Sequence, residues 1–194
     1  MIRQRQIFTL AIIRDCCHKK ATSPLADLGI GSAFMADGEM EVVMTSLVDI
    51  TGWFLTQESM THKKLQKLCY YAQAWYCTLY DGTPFFKEKI EAWVHGPVIP
   101  ALYPRFADYR WEKIPQLPRF GDFPFTQKEK RILEAVYRTY GRFSGDELER
   151  LTHSELPWIQ ARGDLRPWEP CTTEITTDSM RAYYSKKYEQ AQND

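Results

Sequence analysis

The sequence predicts a mainly α-helical, α+β fold, a compact helical domain with one small β-hairpin or short extended strands around residues 85–98. Apolar residues recur at helical spacing through several segments, which is typical of amphipathic helices packed on one core. Ser or Thr followed three residues later by an acidic residue marks several helix starts. One short stretch, from Ile90 to Val94, alternates in the manner of a strand before a His-Gly-Pro turn. Helices therefore dominate the predicted fold.

The first two helices are predicted from their caps. Ser46 with Asp49 opens a short helix, and Thr61 precedes the most regular apolar stripe of the chain, which ends near Gly82 and Pro84. The stripe of this second helix consists of Leu65, Leu68, Cys69, Ala72, Trp75, Tyr76 and Leu79. The opposite face is expected to be solvated and consists of Lys63, Lys64, Lys67 and Gln73.

The middle of the chain is predicted to be largely irregular. Pro104 lacks the N–H that a helix interior uses, so the segment after the Gly-Pro turn is expected to form a distorted or single-turn helix. The stretch from Asp108 to Phe125 contains several prolines and few periodic apolar residues. It is expected to form a long loop with short extended pieces.

Further helices are predicted after this loop. Two of them open with capping boxes, formed by the pairs Thr126 with Glu129 and Ser144 with Glu147. A further helical turn is expected to begin at Ser154 and to end before Gly163. Thr177 or Asp178 is expected to cap the last helix, which carries Met180 on its apolar side.

Composition excludes several classes of protein. The chain has 194 residues, of which 44% are hydrophobic, and its 25 basic and 25 acidic residues give zero formal charge. That balance argues against binding to nucleic acid or to an anionic membrane over a wide surface. No apolar run reaches the roughly 20 residues that a membrane-spanning helix needs. The five cysteines form neither a C-x-x-C pair nor an even disulfide framework, which indicates a reducing cytoplasm.

Residues 1–43 differ from the rest of the chain, because no helical or alternating period is sustained through them. Residues 40–44 can be encoded by codons that contain a GGAGGT ribosome-binding sequence just upstream of the Met44 codon. We therefore expect translation to start at Met44, with residues 1–43 a non-native extension and residues 44–194 the domain. The alternative is a genuine but flexible N-terminal extension.

Motifs of catalysis and metal binding do not stand out. The four histidines show no H-E-x-x-H and no zinc-ligand spacing with cysteine, so we expect no metal and no cofactor. Phosphate-binding glycine loops and the G-x-S-x-G element are also missing. His153 and Glu155 could form an acid-base pair, but the favoured interpretation is capping and packing between two helices. Cys69 lies on an apolar stripe, where a thiol behaves as a small hydrophobic group.

The most unusual stretch runs from Ala92 to Val98, where a Trp, a His and a Gly-Pro turn precede a short helix. One interpretation is structural, with Gly96 supplying a special backbone conformation and Trp93 covering the core. The other is functional, with Trp93, His95 and Tyr103 forming an exposed aromatic anchor for a protein partner. The structural interpretation is favoured, and both can hold together.

Three segments together resemble the Panacea domain family, which includes the SocA-like and phage-associated GepA-like proteins. The segments are Lys64–Gln73, Ile90–Tyr103 and Leu151–Arg162, in the order and spacing of the family. The resemblance covers nearly all of residues 44–194 and does not reach residues 1–43. Pro104 departs from the usual helix after the Gly-Pro turn, which puts the local geometry in doubt.

The resemblance implies an antitoxin, a cytoplasmic protein of a bacterium or prophage that binds and neutralises a toxin encoded by the adjacent gene. It implies no catalytic residues. Residues expected to contact the partner are Trp93, His95, Tyr103, Arg105, Tyr109 and Trp111. Residues of the shared motifs expected to act structurally are Gly96, Pro97, His153, Pro157 and Trp158.

Two alternatives to simple blocking stay open. The first is a proteolytic adaptor that delivers the bound partner to an energy-dependent cellular protease, so that the partner disappears. The second is a hydrolase or transferase that uses His153 or His95. A role in DNA binding is disfavoured, because no basic recognition helix stands out and the net charge is zero.

Overall fold

The computed structural model describes residues 44–119 and 122–193, so the expected extension over residues 1–43 lies outside the described residues. The helices in these ranges are α1 (Leu47–Gln57), α2 (His62–Leu79), α3 (Tyr103–Phe106), α4 (Gln127–Tyr140), α5 (Gly145–His153), α6 (Leu156–Arg162) and α7 (Thr177–Asn193). A 3-10 turn over Ala107–Tyr109 follows α3. None of these helices is long and apolar enough to cross a membrane.

Two small antiparallel strand pairs complete the fold. The strands are β1 (Met60–Thr61), β2 (Glu91–Trp93), β3 (Gly96–Val98) and β4 (Lys113–Ile114). β1 pairs with β4, and β2 pairs with β3 as the predicted hairpin, with Trp93 opposite Gly96. The predicted mainly helical fold with a hairpin near residues 85–98 is therefore confirmed. The strand pair β1–β4 uses one of the short extended pieces expected in the long loop.

Side-chain caps begin the helices where the sequence predicts them. The hydroxyl of Ser46 accepts from the Val48 N–H, and that of Thr61 accepts from the Lys64 N–H. Both predicted capping boxes are present at the starts of α4 and α5. The cap of α7 lies one residue earlier than predicted, because the Thr176 hydroxyl accepts from the Ser179 N–H at 3.2 Å. Thr177 is instead the first helical residue.

Helix α2 lies at the centre of the domain, where α1, α4, α5, α7 and the hairpin pack around it. Its aromatic side chains form the core with those of neighbouring helices. The rings of Tyr71 and Tyr140 stack at 3.8 Å, and the Trp75 indole N–H donates to the Tyr140 hydroxyl at 3.0 Å. The polar atoms of these large rings are thus hydrogen-bonded inside the core, as burial requires.

The prediction of a solvated face on α2 is wrong for most of its residues. Lys64, Lys67 and Gln73 are 8%, 1% and 3% exposed, and only Lys63 keeps appreciable contact with solvent. Each buried side chain binds backbone groups of another segment packed on α2. The Lys64 ammonium donates to the Gly141 carbonyl, and the Gln73 amide oxygen accepts from the N–H groups of the two phenylalanines at positions 85 and 86. These polar residues therefore bury their stems while their polar ends satisfy backbone groups of neighbouring segments.

A buried carboxylate fastens the last helix to the centre. Glu155, only 1% exposed, lies between α5 and α6. Its carboxylate accepts from the hydroxyls of Tyr184 at 2.7 Å and Tyr71 at 3.3 Å, and from the Lys187 ammonium at 3.0 Å. Two of these donors come from α7 and one from α2. The C-terminal helix is therefore held by a charged hydrogen-bond network as well as by its apolar face.

Candidate partner-binding groove

The hairpin β2–β3 lies directly on α2. Gly96 adopts φ +90°, a left-handed conformation that favours glycine, and a Cβ there would come within 2.8 Å of Lys67 Cε. On the next residue, Pro97, the carbonyl accepts from the Lys67 ammonium at 3.0 Å. The Gly-Pro pair therefore lets the strand approach the helix closely enough for this hydrogen bond.

Polar side chains of α2 fix the backbone just after the hairpin. The Gln66 amide oxygen accepts from the Ile99 N–H at 2.8 Å, and its amide nitrogen donates to the Ile99 carbonyl at 3.3 Å. The same amide nitrogen lies 3.0 Å from Nε2 of His62. The oxygen assignment leaves the Gln66 amide nitrogen as the donor to His62 Nε2. Since Nε2 accepts this hydrogen bond, the neutral His62 ring carries its proton on Nδ1.

Burial and charge shift both titratable groups beneath the hairpin. Burial, with a smaller contribution from the nearby Lys67 charge, lowers the pKa of His62 to about 4, so this ring is neutral at pH 7. Burial also lowers the pKa of Lys67 to about 7, although the charge of Glu149 opposes the shift. Lys67 thus forms a buried amine that gains or loses its proton near neutral pH.

A groove of about 530 Å³ opens between α2, the hairpin, the turn that follows α3, and the segment Pro170–Thr172. We call it the aromatic groove. Its other lining residues are His62, Lys63, Gln66, Lys67, Trp93, Val94, His95, Val98, Tyr103, Ala107, Arg110 and Trp111. The volume lies within the range of roughly 300–1,000 Å³ typical of binding pockets.

Aromatic rings form one continuous wall of the aromatic groove. The ring of Tyr103 lies 5.1 Å from that of Trp93 and 5.0 Å from that of His62, measured between centroids. Tyr103 is 42% exposed and Trp111 is 75% exposed, so both rings present their area to solvent at the rim. Lys63 Nζ lies 5.5 Å from the centroid of the Trp111 ring, a cation-π contact.

An ion-pair network borders the same rim. Lys63 Nζ lies 2.6 Å from Glu149 Oε2 and 2.8 Å from Asp146 Oδ1. His95, at the hairpin turn, places Nδ1 3.1 Å from Glu149 Oε1 and has an exposed side chain. Glu149 on α5 therefore joins the hairpin turn to the first turn of α2, and both of its oxygens lie close to nitrogen atoms.

The structure brings together four of the six residues expected to contact a partner. Trp93, His95, Tyr103 and Trp111 line the aromatic groove. The other two, Arg105 and Tyr109, face a second pocket of about 280 Å³ with residues of α1 and the loop after β4. The six residues are thus divided between two concave surfaces that share the segment around α3.

The motif residues of α5 and α6 support the hairpin from behind. The His153 ring stacks on Trp158 at 4.0 Å, and the Trp158 indole N–H donates to the Trp93 carbonyl at 3.0 Å. Pro157 is buried in the first turn of α6. His153 is therefore placed to pack against the tryptophan that holds β2, rather than to share a proton with Glu155, whose carboxylate binds the tyrosines and lysine described above.

The described residues contain no group of three or more His, Cys, Asp or Glu side chains that could hold a metal ion. Burial raises the pKa of the Cys69 thiol to about 12 and that of Cys77 to about 11, so neither supplies a thiolate at neutral pH. The groove presents aromatic area, the buried amine of Lys67 and two rim cations, Lys63 and Arg110.

Sequence reasoning missed the floor of the aromatic groove. The sequence pattern indicated no role for Gln66 and no metal-binding role for His62. It placed Lys67 on a solvated face. Arg110 and the segment Pro170–Thr172 were missed as well. One signal was available in the sequence. Gln66 and Lys67 are adjacent on a helix that carries a broad apolar stripe, where polar side chains can form hydrogen bonds with backbone groups of other segments.

Comparison with known families assigns the centre of the chain. Residues 65–159 match the family model described as antitoxin SocA-like, Panacea domain. The chain carries a Panacea domain. Searches of curated proteins and of solved structures find no significant match. The resemblance inferred from the three sequence segments is thereby confirmed, and the domain is antitoxin-like.

The matched residues of the Panacea domain include most of α2, the hairpin, α3, α4, α5 and the first half of α6. They contain Trp93, His95, Tyr103 and Trp111, so these groove residues lie inside the family match, whereas His62 precedes it. Helix α7 and the wall segment Pro170–Thr172 lie beyond it. The aromatic groove is thus built mainly from the Panacea domain and is closed on one side by the chain that follows.

Proposed function

We propose that the protein is the antitoxin of a toxin–antitoxin pair and neutralises a toxin encoded by the adjacent gene through direct protein binding. The observation that carries this proposal is the aromatic groove, because its exposed rings lie on the part of the chain that matches an antitoxin-like domain. The partner contacts Trp93, Tyr103 and Trp111, with His95 at one end. Arg105 and Tyr109 extend the contact along the neighbouring pocket.

The exposed residue types suit tight protein binding. Trp, Tyr and Arg dominate the binding energy of protein interfaces, and they cluster here around one concavity. An interface of standard size covers about 800 Å² on each partner, so the contact is proposed to extend beyond the groove and the second pocket. Silencing a toxin at cellular concentrations calls for a nanomolar dissociation constant, about 12 kcal/mol of binding free energy.

Neutralisation is proposed to proceed without catalysis, by covering the toxin's functional surface in the cytoplasm of a bacterial host. A binding role is supported by the raised pKa values of the Cys69 and Cys77 thiols and by the packing of the His153 ring on Trp158. The domain that carries this activity is proposed to span residues 44–194. A proteolytic adaptor would use the same surface but would shorten the lifetime of the bound partner.

Growth of cells that express the adjacent open reading frame tests the proposal. Co-expression of the full chain is expected to restore growth while the amount of the neighbouring protein stays constant. Restored growth with a shortened half-life of that protein would favour the adaptor. Toxicity that the full chain does not relieve, or a harmless neighbour, would contradict the antitoxin proposal. A parallel arm that begins at Met44 tests whether residues 44–194 suffice.

A further inference from the structure

The floor of the aromatic groove holds a buried amine with unused hydrogen-bonding capacity. An ammonium group has three N–H donors. Lys67 is only 1% exposed, and among the described residues its Nζ donates to one acceptor, the Pro97 carbonyl at 3.0 Å. A buried charge normally has its donors matched by acceptors. Two of the three donors are thus unmatched within the described residues, and Lys67 is one of the residues that line the groove.

No acidic side chain of the described residues lines the aromatic groove to fill this role. Glu149 is the carboxylate whose charge reaches Lys67, but its two oxygens are occupied by Lys63 at 2.6 Å and by His95 at 3.1 Å. Arg110 adds a second cation at the rim, where it is exposed and forms no ion pair with the described residues. Positive charge is therefore left unmatched both at the floor and at the rim.

We propose that the aromatic groove binds an acidic peptide segment of the protein partner, with an Asp or Glu carboxylate accepting from the Lys67 ammonium and a neighbouring apolar or aromatic side chain packed on Trp93 and Tyr103. This inference rests on the proposed function, of which it specifies the partner chemistry. A second acidic residue of the same segment pairs with Arg110 at the rim. The lysine and the aromatic wall thus recognise two adjacent side chains of one extended segment.

The shape of the groove favours a peptide over a free small molecule. Pockets for small ligands bury most of the ligand surface. Here the rings of Tyr103 and Trp111 are 42% and 75% exposed, so they form an open rim that a longer chain can cross. Charge complementarity then sets the sign of that chain, because Lys67 at the floor and Arg110 at the rim form no ion pair with a carboxylate of the described residues, whereas Lys63 is already paired.

Selection of a random dodecapeptide library on the full chain tests the inference without knowledge of the partner, with Trp111→Ala as the counter-selection target. Enriched peptides are expected to carry Asp or Glu next to an aromatic or aliphatic residue. A synthetic consensus peptide is then measured by fluorescence anisotropy. Changing its acidic residue to the matching amide is expected to weaken binding at least about tenfold, and this change leaves the protein untouched.

Two protein variants locate the peptide. Lys67→Met and Trp111→Ala are each expected to weaken binding of the consensus peptide at least about tenfold, whereas Lys130→Met, on the exposed face of α4, leaves it unchanged. Circular dichroism checks that each variant is folded. Trp111 is 75% exposed, so its replacement does not depend on repacking of the core.

Several outcomes overturn the inference: no enrichment over the counter-selection, enrichment of neutral or basic peptides, or equal affinity for the acidic peptide and its amide. These outcomes leave neutralisation of the neighbouring toxin standing. Acidic peptides that bind at the groove while the full chain fails to relieve toxicity would instead support the site and contradict the antitoxin proposal.

Discussion

Lys67 Nζ lies 3.0 Å from the carbonyl oxygen of Pro97, so the central helix holds the hairpin of the aromatic groove through a buried amine. The amine is 1% exposed, and burial lowers its pKa to about 7. This one contact links the stability of the fold to the electrostatics of the groove. Removal of the Lys67 charge and replacement of Gly96 in the turn are each expected to disturb it.

Stability is expected to depend on pH through Lys67. In the unfolded chain its pKa is the ordinary 10.5, whereas in the folded protein burial lowers the pKa to about 7. Between these values the unfolded state binds more protons, so the free energy of unfolding rises with pH, by up to about 5 kcal/mol. Below pH 7 this contribution is lost. Urea unfolding from pH 6 to pH 8, below the range in which buried thiols and tyrosines oppose the effect, should show the rise in the wild type and a smaller one in Lys67→Met. Parallel profiles would contradict the assignment.

Replacement of Gly96 is expected to destabilise the fold more than replacement of a glycine in open space. A Cβ at Gly96 would lie 2.8 Å from Lys67 Cε and 2.9 Å from the Thr152 hydroxyl, in addition to the strain of φ +90°. Gly163, at φ +56°, has nothing within 4 Å of such a Cβ. Gly163→Ala is expected to cost about 1 kcal/mol and Gly96→Ala at least about 2 kcal/mol in urea unfolding. Equal costs would show that the hairpin does not need its close approach to α2.

Loss of the buried carboxylate of Glu155 is expected to loosen the last helix. Glu155→Ala leaves the Lys187 ammonium and the hydroxyls of Tyr184 and Tyr71 without their shared acceptor. Removing one partner of a buried charged network costs about 3 kcal/mol. Glu189→Ala, at an exposed position of the same helix, serves as the control and is expected to change stability by less than about 0.5 kcal/mol. A change of similar size in both variants would contradict this role of Glu155.

The sequence predicted the helices well because their signals are local. The capping hydroxyls of Ser46 and Thr61 and the two capping boxes act within one helical turn, so spacing alone locates them. The hairpin was predicted for the same reason, since the alternation before the Gly-Pro turn spans only a few residues. The cap of α7 was displaced by one residue, because adjacent threonines at 176 and 177 offer the same hydroxyl, and α6 begins after Glu155 rather than at Ser154.

The groove floor could not be predicted, because its contacts join residues far apart in the chain. The buried polar residues of α2 appear from sequence to lie opposite an apolar stripe, where solvent is the usual neighbour. Their actual partners are the Gly141 carbonyl, the Pro97 carbonyl and the backbone near position 85. Only the packing of other segments around α2 brings these groups within reach. The polar face of α2 therefore has the spacing of a solvated helix face, although it is buried because other segments pack around this central helix.

Calorimetric titration of the neighbouring gene's product with the full chain tests the central claim most directly. The wild type is expected to bind with a nanomolar dissociation constant, and the double variant Trp93→Ala, Tyr103→Ala is expected to bind at least about a hundredfold more weakly while its circular dichroism is unchanged. Trp168→Ala, which removes a ring that is 68% exposed and lies outside the aromatic groove, is expected to bind as the wild type does. Undiminished binding by the folded double variant, or no binding by the wild type, would contradict the account.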